Sequence, residues 1–581
     1  MSNPAEQASE DALNKLFKTL DDKQCFRFEA GAGAGKTYSL IEALKYLIHI
    51  DSVTLSKNNQ QIACITFTNV AKDEIDTRTD NNPVVLAETI HTFSWALLRG
   101  MQKQMREFIP SISSRWNTRI DEAGGLSKQT VIYDLGYPNA TEKEITLHHD
   151  DVIKIFSHFL SLEKFKTILI SKFPIILIDE YQDTNKLLAE SIIENLIEND
   201  RGILIGFFGD HWQKIYGSAA CGLISASKGK IIEIGKNANF RSERMIVEML
   251  SRMRPELPQN VCDPKSIGEI DVFLSNSWDG VRRADNHWQG DLPPNIAHSY
   301  LETSKRQLIE KGWEFTPEKT KILMLTNNVL AEEQGYAKLA SIFSRNTDDY
   351  LKKDNHYIKF LINIVEVVCL YYIEKKYGEM FKSIGIATPR LKKQSDKTSW
   401  NTDLSKLEDL RQNETIGEVI DHCKLTKRPR LSMKVEQAER RFENFHQLSK
   451  EEQAEEQRFF DKVSAIKAVK YTELIELSKY LDDKTPFSTK HGVKGAEFEN
   501  VLVVCGRGWN NYNWNNFLSW ENDGIPNDKE PAYERNRNLF YVACSRPKKR
   551  LALLFTQVLS GSAIHTLNHW FVDKNIRDIE L

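Results

Sequence analysis

Ala30-Gly31-Ala32-Gly33-Ala34-Gly35-Lys36-Thr37 sets alternating glycines ahead of a lysine and a hydroxyl, a spacing that suits a polyphosphate. Backbone N–H groups of such a turn, and of the helix it opens, point at phosphate oxygens, whose charge the helix dipole favours. Lys36 would reach the β- and γ-phosphates, and the Thr37 hydroxyl would take a place on Mg2+. Ala30 replaces the usual first glycine, a tolerated change because only the inner glycines need unusual backbone angles. Asp179-Glu180 follows the apolar run Phe173–Ile178. Carboxylates at a strand end are often helix caps, but downstream of a phosphate loop they have a stronger reading. Asp179 would hold the Mg2+ shell, and Glu180 would orient and deprotonate the attacking water. Together these residues predict binding and hydrolysis of a nucleoside triphosphate.

Strands and helices must bring these groups together. Cys25–Glu29 reads as a strand feeding the glycine-rich turn, and Tyr38–Ile48 as the helix leaving it. Gln61–Phe67 is a strand running into the helix Val70–Thr77, and Val84–Leu86 is another. Phe173–Ile178 has the continuous apolar run of a strand buried on both faces of a parallel sheet. It delivers Asp179 at its C-terminal end, where such sheets place their sites. Ile203–Phe208 ends in Gly209–Tyr216, and Ile231–Ile234 precedes Asn239-Phe240-Arg241-Ser242. A second strand set comprises Ile322–Leu325, Val501–Val504 and Leu551–Leu554, with a helix over Glu534–Tyr541. The predicted class is α/β, with two parallel-sheet lobes, each interrupted by a mostly helical insertion.

A chain of 581 residues is too long for one hydrophobic core and predicts several subdomains. Its longest apolar runs, such as Leu361–Ile373 with Asn363 and Glu366 inside it, read as too short to cross a bilayer. Met1–Glu6 has neither a basic start nor an apolar core, so a cytoplasmic location with no membrane contact is expected. Eight scattered cysteines without a CxxC pair argue against zinc, iron–sulfur and disulfide frameworks. The net charge of −3 does not suggest a generic nucleic-acid coat protein, yet it leaves room for a local basic groove. The run Lys424–Arg430 reads as solvated surface ahead of a duplex or partner contact.

In order and spacing these blocks resemble the motifs of superfamily 1A DNA helicases, the UvrD/Rep/PcrA group. Ala30–Thr37 is similar to motif I, Thr66–Asn69 to motif Ia, Thr89–Phe93 to the block after it, and Asp179–Asn185 to motif II. Gly209–Tyr216 resembles motif III, Asn239–Ser242 motif IV, Thr489–Phe498 motif V, and Tyr541–Arg546 motif VI. The resemblance implies two RecA-like P-loop NTPase lobes: lobe 1A over 1–98 and 165–232 with insertion 1B over 99–164, and lobe 2A over 233–345 and 480–581 with insertion 2B over 346–479.

It also implies roles. Gln213 and Arg241 would sense the γ-phosphate of ATP, with Arg546 as the arginine finger; a guanidinium neutralises charge spreading over the phosphoryl oxygens. Glu497 would contact ribose, and Tyr38 and Phe240 would sandwich the base. Either Gln7 or Gln24 would read adenine. Single-stranded DNA would cross both lobes, with Phe67 as a stacking platform, Thr68 and Asn69 beside it, and His91 and His491 along the strand path.

Motif III departs from the family pattern. After its tyrosine stands Gly217-Ser218-Ala219-Ala220, without the family's aromatic, and Trp212 is the candidate to replace that stacking. The leading expectation is an ATP-dependent 3′–5′ helicase and single-strand translocase acting on single-stranded and duplex DNA, with Mg2+. The alternative is a DNA-sensing ATPase subunit that regulates an OLD-like nuclease partner in a Gabija-type anti-phage system. Too few residues follow motif VI for a fused nuclease domain, so a nuclease would be a partner.

Overall fold

A computed structural model describes residues 3–581 apart from 135–137, 216–218, 285–287, 325–330, 345, 386–390, 483, 489–495, 507–511 and 573–574. The first sheet contains β1 (Phe26–Ala30), β2 (Ile62–Thr66) and β3 (Val85–Thr89), and is completed after an insertion. That insertion holds β4 (Thr130–Tyr133), β5 (Asn139–Ala140) and β6 (Glu144–Leu147). Then follow β7 (Ile175–Asp179), β8 (Leu204–Gly209) and β9 (Ile232–Lys236). The order is β3-β2-β7-β8-β1-β9, with every neighbouring pair parallel. Strands β1, β2, β7 and β8 are buried along their whole length, as a sheet covered on both faces requires. The expected boundary at 232/233 therefore falls inside the last strand of this sheet.

A short parallel pair, β10 (Ala238–Asn239) and β11 (Asn260–Val261), leads to the second sheet. It is built from β12 (Glu269–Leu274), β13 (Thr320–Met324), β14 (Phe487–Ser488), β15 (Phe498–Cys505), β16 (Pro547–Phe555) and β17 (Ile576–Asp578). Their order is β14-β13-β15-β16-β12-β17, again all parallel. Two apolar clusters cover the faces of each sheet.

The first insertion is less purely helical than its composition suggests. Helices α5 (Gln102–Ile112) and α6 (Ser114–Glu122) follow α1 (Pro4–Asp21), α2 (Lys36–Lys57), α3 (Asn69–Arg78) and α4 (Ile90–Leu98). Strands β4, β6 and β5 then form a small sheet, whose short runs of mixed polarity carry little period-two signal. Helix α7 (His149–Phe159) packs Val152, Ile155 and Phe156 into the first lobe's core, so insertion and lobe share one apolar cluster. The second insertion has a core of its own, from Ala331 to Leu477. Its helix from His356 to Ile373 carries the apolar run visible in sequence, and only when joined across the break at 352–355 to the short helix Asp348–Leu351 does the stretch Asp348–Ile373 reach the length and composition to cross a membrane. Ile358, Leu361, Val365 and Val368 of that stretch are buried in the insertion core.

The basic run in this insertion is largely matched by its own acids. Lys424 bonds Glu443, Arg428 bonds Asp403, and Arg430 lies 3.8 Å from Glu436. The solvated-surface reading is the one this pairing supports. All eight cysteines are free thiols.

Candidate nucleotide site and nucleic-acid face

Strand β1 ends at Ala30, and the chain turns through Gly31–Gly35 before α2 starts at Lys36. Gly33 and Gly35 have φ of 76° and 73°, a left-handed backbone that side chains disfavour. A Cβ on Gly33 would also stand 2.7 Å from Asn239 Oδ1. Gly31 needs no positive φ, but a Cβ there would lie 2.7 Å from Gln259 Nε2 and would oblige that side chain to shift. The turn leaves the first-turn amides of α2 without intrahelical partners, which is what a phosphate cradle needs.

Strand β7 carries Asp179 to the same edge of the sheet. Glu180 follows in the left-handed region, φ 49°, strained for a non-glycine residue and held there by the packed turn around it. Lys36 Nζ donates to Glu180 Oε2 at 2.6 Å. Burial works against the Lys36 ammonium, but the charges of Glu180, Asp179 and Asp210 outweigh it and raise its pKa. Burial, then the neighbouring Glu180 carboxylate, pushes Asp179 up to about 7. Asp179 Oδ1 is buried and makes no hydrogen bond. An orphaned hard oxygen beside a phosphate cradle fits a divalent cation of the Mg2+ kind, with the Thr37 hydroxyl as the second protein candidate.

The second lobe closes over this edge. Arg546, from the residues that follow helix Glu530–Cys544, is 1% exposed. It donates to Val542 O at 3.0 Å and to Gln213 Oε1 at 3.3 Å across the cleft. Among the described residues no carboxylate lies within ion-pair distance of it; burial first, and Arg241 second, bring its pKa down to about 9. Arg241 donates to Glu497 Oε2 at 3.0 Å and to Ser545 O at 3.0 Å. Glu497 also pairs with Lys548, so the expected ribose contact would have to share these oxygens.

Tyr38 and Phe240, predicted to sandwich the base, are 46% and 43% exposed despite their size. Phe240 N donates to Gly33 O at 2.8 Å, tying that ring to the phosphate loop. Lys236 Nζ lies 5.4 Å from the Tyr38 centroid and 5.7 Å from that of Phe240. Gln24 precedes β1 at the end of the strand opposite the loop, while Gln7 lies in α1, which packs against β9, β10 and β11 beside Phe240.

Phe67 is 39% exposed at the C-terminal end of β2. It lines a cavity of about 180 Å3 with Ile90, His91, Asp150, Asn185 and Leu188. Thr68 caps α3 by accepting from Ala71 N, and Asn69 opens that helix. His91 meets His149 edge to face at 4.6 Å, and Tyr133 bonds His149. Trp212 is placed differently from the expected stacking role. It is 7% exposed, edge-on to Tyr541 at 5.3 Å and flanked by the guanidinium groups of Arg254 and Arg537. That position makes it interlobe packing, because its ring is enclosed where a stacking base would have to lie. His491, and Gly217 and Ser218 of the altered motif III segment, lie outside the described residues.

Sequence reasoning missed Arg254. Its guanidinium reaches Asp210 Oδ1 at 2.6 Å and Glu29 Oε2 at 3.4 Å, joining α10 (Arg244–Met253) to the floor of the first lobe. Glu29, Asp210 and His211 bring their polar atoms within 4.8 Å of one another, and Arg254 supplies the positive charge there. The signal was the pair Arg27 and Glu29, charges in an otherwise apolar central strand. Lys236, three residues before motif IV, was missed for a related reason: nothing nearby in sequence marks it as buried.

Residues 15–219 match the family model of an AAA domain, and residues 137–558 match that of the UvrD-like helicase C-terminal domain. The chain is 26% identical to Gabija protein GajB of Bacillus cereus (strain HuB5-5), across 94% of this chain and 95% of that protein.

Proposed function

The chain belongs to the UvrD-like helicase family, an ATP-hydrolysing one, and from that premise we propose that it is a DNA-stimulated ATPase that moves 3′ to 5′ along single strands. The carrying observation is the cleft itself: Lys36 and Glu180 face it from the first lobe, and the buried Arg546 enters it from the second to meet Gln213.

The loop amides and Lys36 take the β- and γ-phosphates. Lys36 lies on Glu180 in the structure, so a γ-phosphate that draws the ammonium away leaves the Glu180 carboxylate available to accept a proton from the attacking water. Asp179 and Thr37 would hold Mg2+, which when bound would neutralise phosphate charge. Arg546, now among neutral partners, gains an anion to neutralise, and Arg241 and Gln213 hold the neighbouring positions. Because Arg546 belongs to the other lobe, the lobes close more tightly with the triphosphate than with the products. Single-stranded DNA lies across Phe67, Thr68, Asn69 and His91, with bases stacking on Phe67; stacking of this kind is worth roughly 1–3 kcal/mol per base.

ATP hydrolysis by the purified chain, with and without single-stranded DNA, tests this. Strong stimulation by DNA is expected, and Glu180→Gln should abolish turnover; activity that survives in Glu180→Gln would overturn the mechanism. Displacement from 3′-tailed but not 5′-tailed duplexes is the expected polarity.

The end-to-end similarity to Gabija protein GajB favours a second reading. Here ATP turnover on DNA switches a partner nuclease of the OLD-like class, with little unwinding by this chain. Co-purification of a nuclease encoded beside it, together with DNA-stimulated hydrolysis but no strand displacement, would select this reading.

A further inference from the structure

Lys236 ends β9, pairs with Ala30 of β1, and is completely buried. Its ammonium donates to Ser39 Oγ at 2.9 Å and to Gly35 O at 3.5 Å, and it lies over both the Tyr38 and Phe240 rings. Among the described residues no carboxylate lies within ion-pair distance of it. A buried ammonium without a counter-charge is costly, whereas an apolar side chain of similar length would fill the same space without that penalty. Burial accordingly draws its pKa down to about 8. Lysine offers three donors and no acceptor, and protein groups take two of them.

We propose that Lys236 is a specificity-determining residue that reads the imidazole edge of a purine held between Tyr38 and Phe240, donating a hydrogen bond to N7. The assignment rests on the sandwich reading of those two rings. Three features converge on N7. The ammonium sits within 3.7 Å of where a Cβ on Gly35 would stand, beside the phosphate cradle. In an anti nucleotide the C8–N7 edge is the part of a purine turned toward its 5′-phosphates. A donor-only group needs an acceptor, and N7 is an acceptor in both adenine and guanine, with no counterpart at that place in a pyrimidine. Lys236 thus selects purines over pyrimidines without separating adenine from guanine.

The test compares ATP with 7-deaza-ATP, which lacks the N7 acceptor, in DNA-stimulated hydrolysis by the full chain. Wild type should show a KM about tenfold higher for 7-deaza-ATP, as expected for losing a charged hydrogen bond. Lys236→Met should raise the KM for ATP by a similar factor and give the two nucleotides equal values. Equal KM values in wild type would overturn the proposal, pointing instead to the α-phosphate as the acceptor if Lys236→Met still weakened ATP. Discrimination that persists in Lys236→Met would also overturn it, assigning N7 to another residue such as Gln7. Should Lys236→Met fail to fold, the comparison in wild type, repeated with Lys236→Gln, decides. Phe240→Ala separates the underlying reading: it should raise both KM values by one factor, and no change in either would mean the base lies elsewhere.

Discussion

Arg546 shows how much a single side chain can be arranged around something yet to arrive. It is buried, its hydrogen bonds go to neutral groups, and Arg241 is close enough to repel it. A planar guanidinium satisfies several acceptors at fixed angles, which an ammonium cannot reproduce. Arg546→Lys is therefore expected to keep the charge and still lose about 10³-fold in kcat, with a smaller change in nucleotide KM; stopped ATP turnover measured beside nucleotide binding checks this. A variant within tenfold of wild type would place the transition-state charge elsewhere. The residues of this cleft were legible in sequence because phosphate chemistry restricts both type and spacing: Gly33, Gly35, Lys36, Asp179 and Glu180 stand at one sheet edge as their motif positions imply. Trp212 was not legible in the same way. An aromatic beside a motif gives no sign of which way its ring points, and Tyr541, far along the chain, decides that it points inward.

At the level of elements, the junction of α4 with α7 joins the first lobe to its insertion. His91 on α4 and His149 on α7 touch, with His148 and Asp150 beside them. Burial, then the charge of His149, lowers His91 to about 4, and burial, then His148, lowers His149. Both folded-state values lie below the unfolded value near 6.5, so as pH falls the unfolded chain takes up protons first. The contribution is fully present above about pH 6.5 and is lost as pH falls from there toward 4. The denaturant midpoint should fall between pH 7 and pH 5. His149→Gln, which keeps a polar partner for Tyr133, should flatten that slope, and an unchanged slope would show that other groups control it. Little of this junction could be read beforehand. The strands β4 and β6 are four residues long with one or two buried positions each, too short for a period to declare itself, whereas β7 announced itself by an unbroken apolar run.

For the whole molecule, the question is how the second lobe senses the first. Arg254 leaves α10 and ends on Asp210 and Glu29 inside the first lobe, with its guanidinium over Trp212. Burial raises the Glu29 carboxyl, but His211, Tyr181 and Arg254 outweigh it and hold the group at about 2, so its stabilising contribution is present above about pH 4.5 and lost as pH falls toward 2. The phosphate loop is propped from the same side, since Gln259 and Asn239 both donate to Ala32 O and Ala32 N donates to Tyr541 Oη. Any rotation of one lobe against the other thus moves charge and hydrogen bonds at the glycine-rich loop. Arg254→Met would leave Asp210 buried without its cation and Glu29 with only Arg27 and His211 beside it, a loss of the kind that costs about 3–5 kcal/mol. Urea unfolding should register that cost near neutral pH and a smaller one at pH 4, where Glu29 in the variant keeps His211 and Tyr181 but has lost Arg254's share of the support for its charged form and is more readily neutral. Equal costs at the two pH values would mean that Arg254 matters for packing against Trp212 and Tyr541 and not for charge, and the interlobe coupling would then have to run through contacts with neutral partners such as Arg546–Gln213 and Ala32–Tyr541.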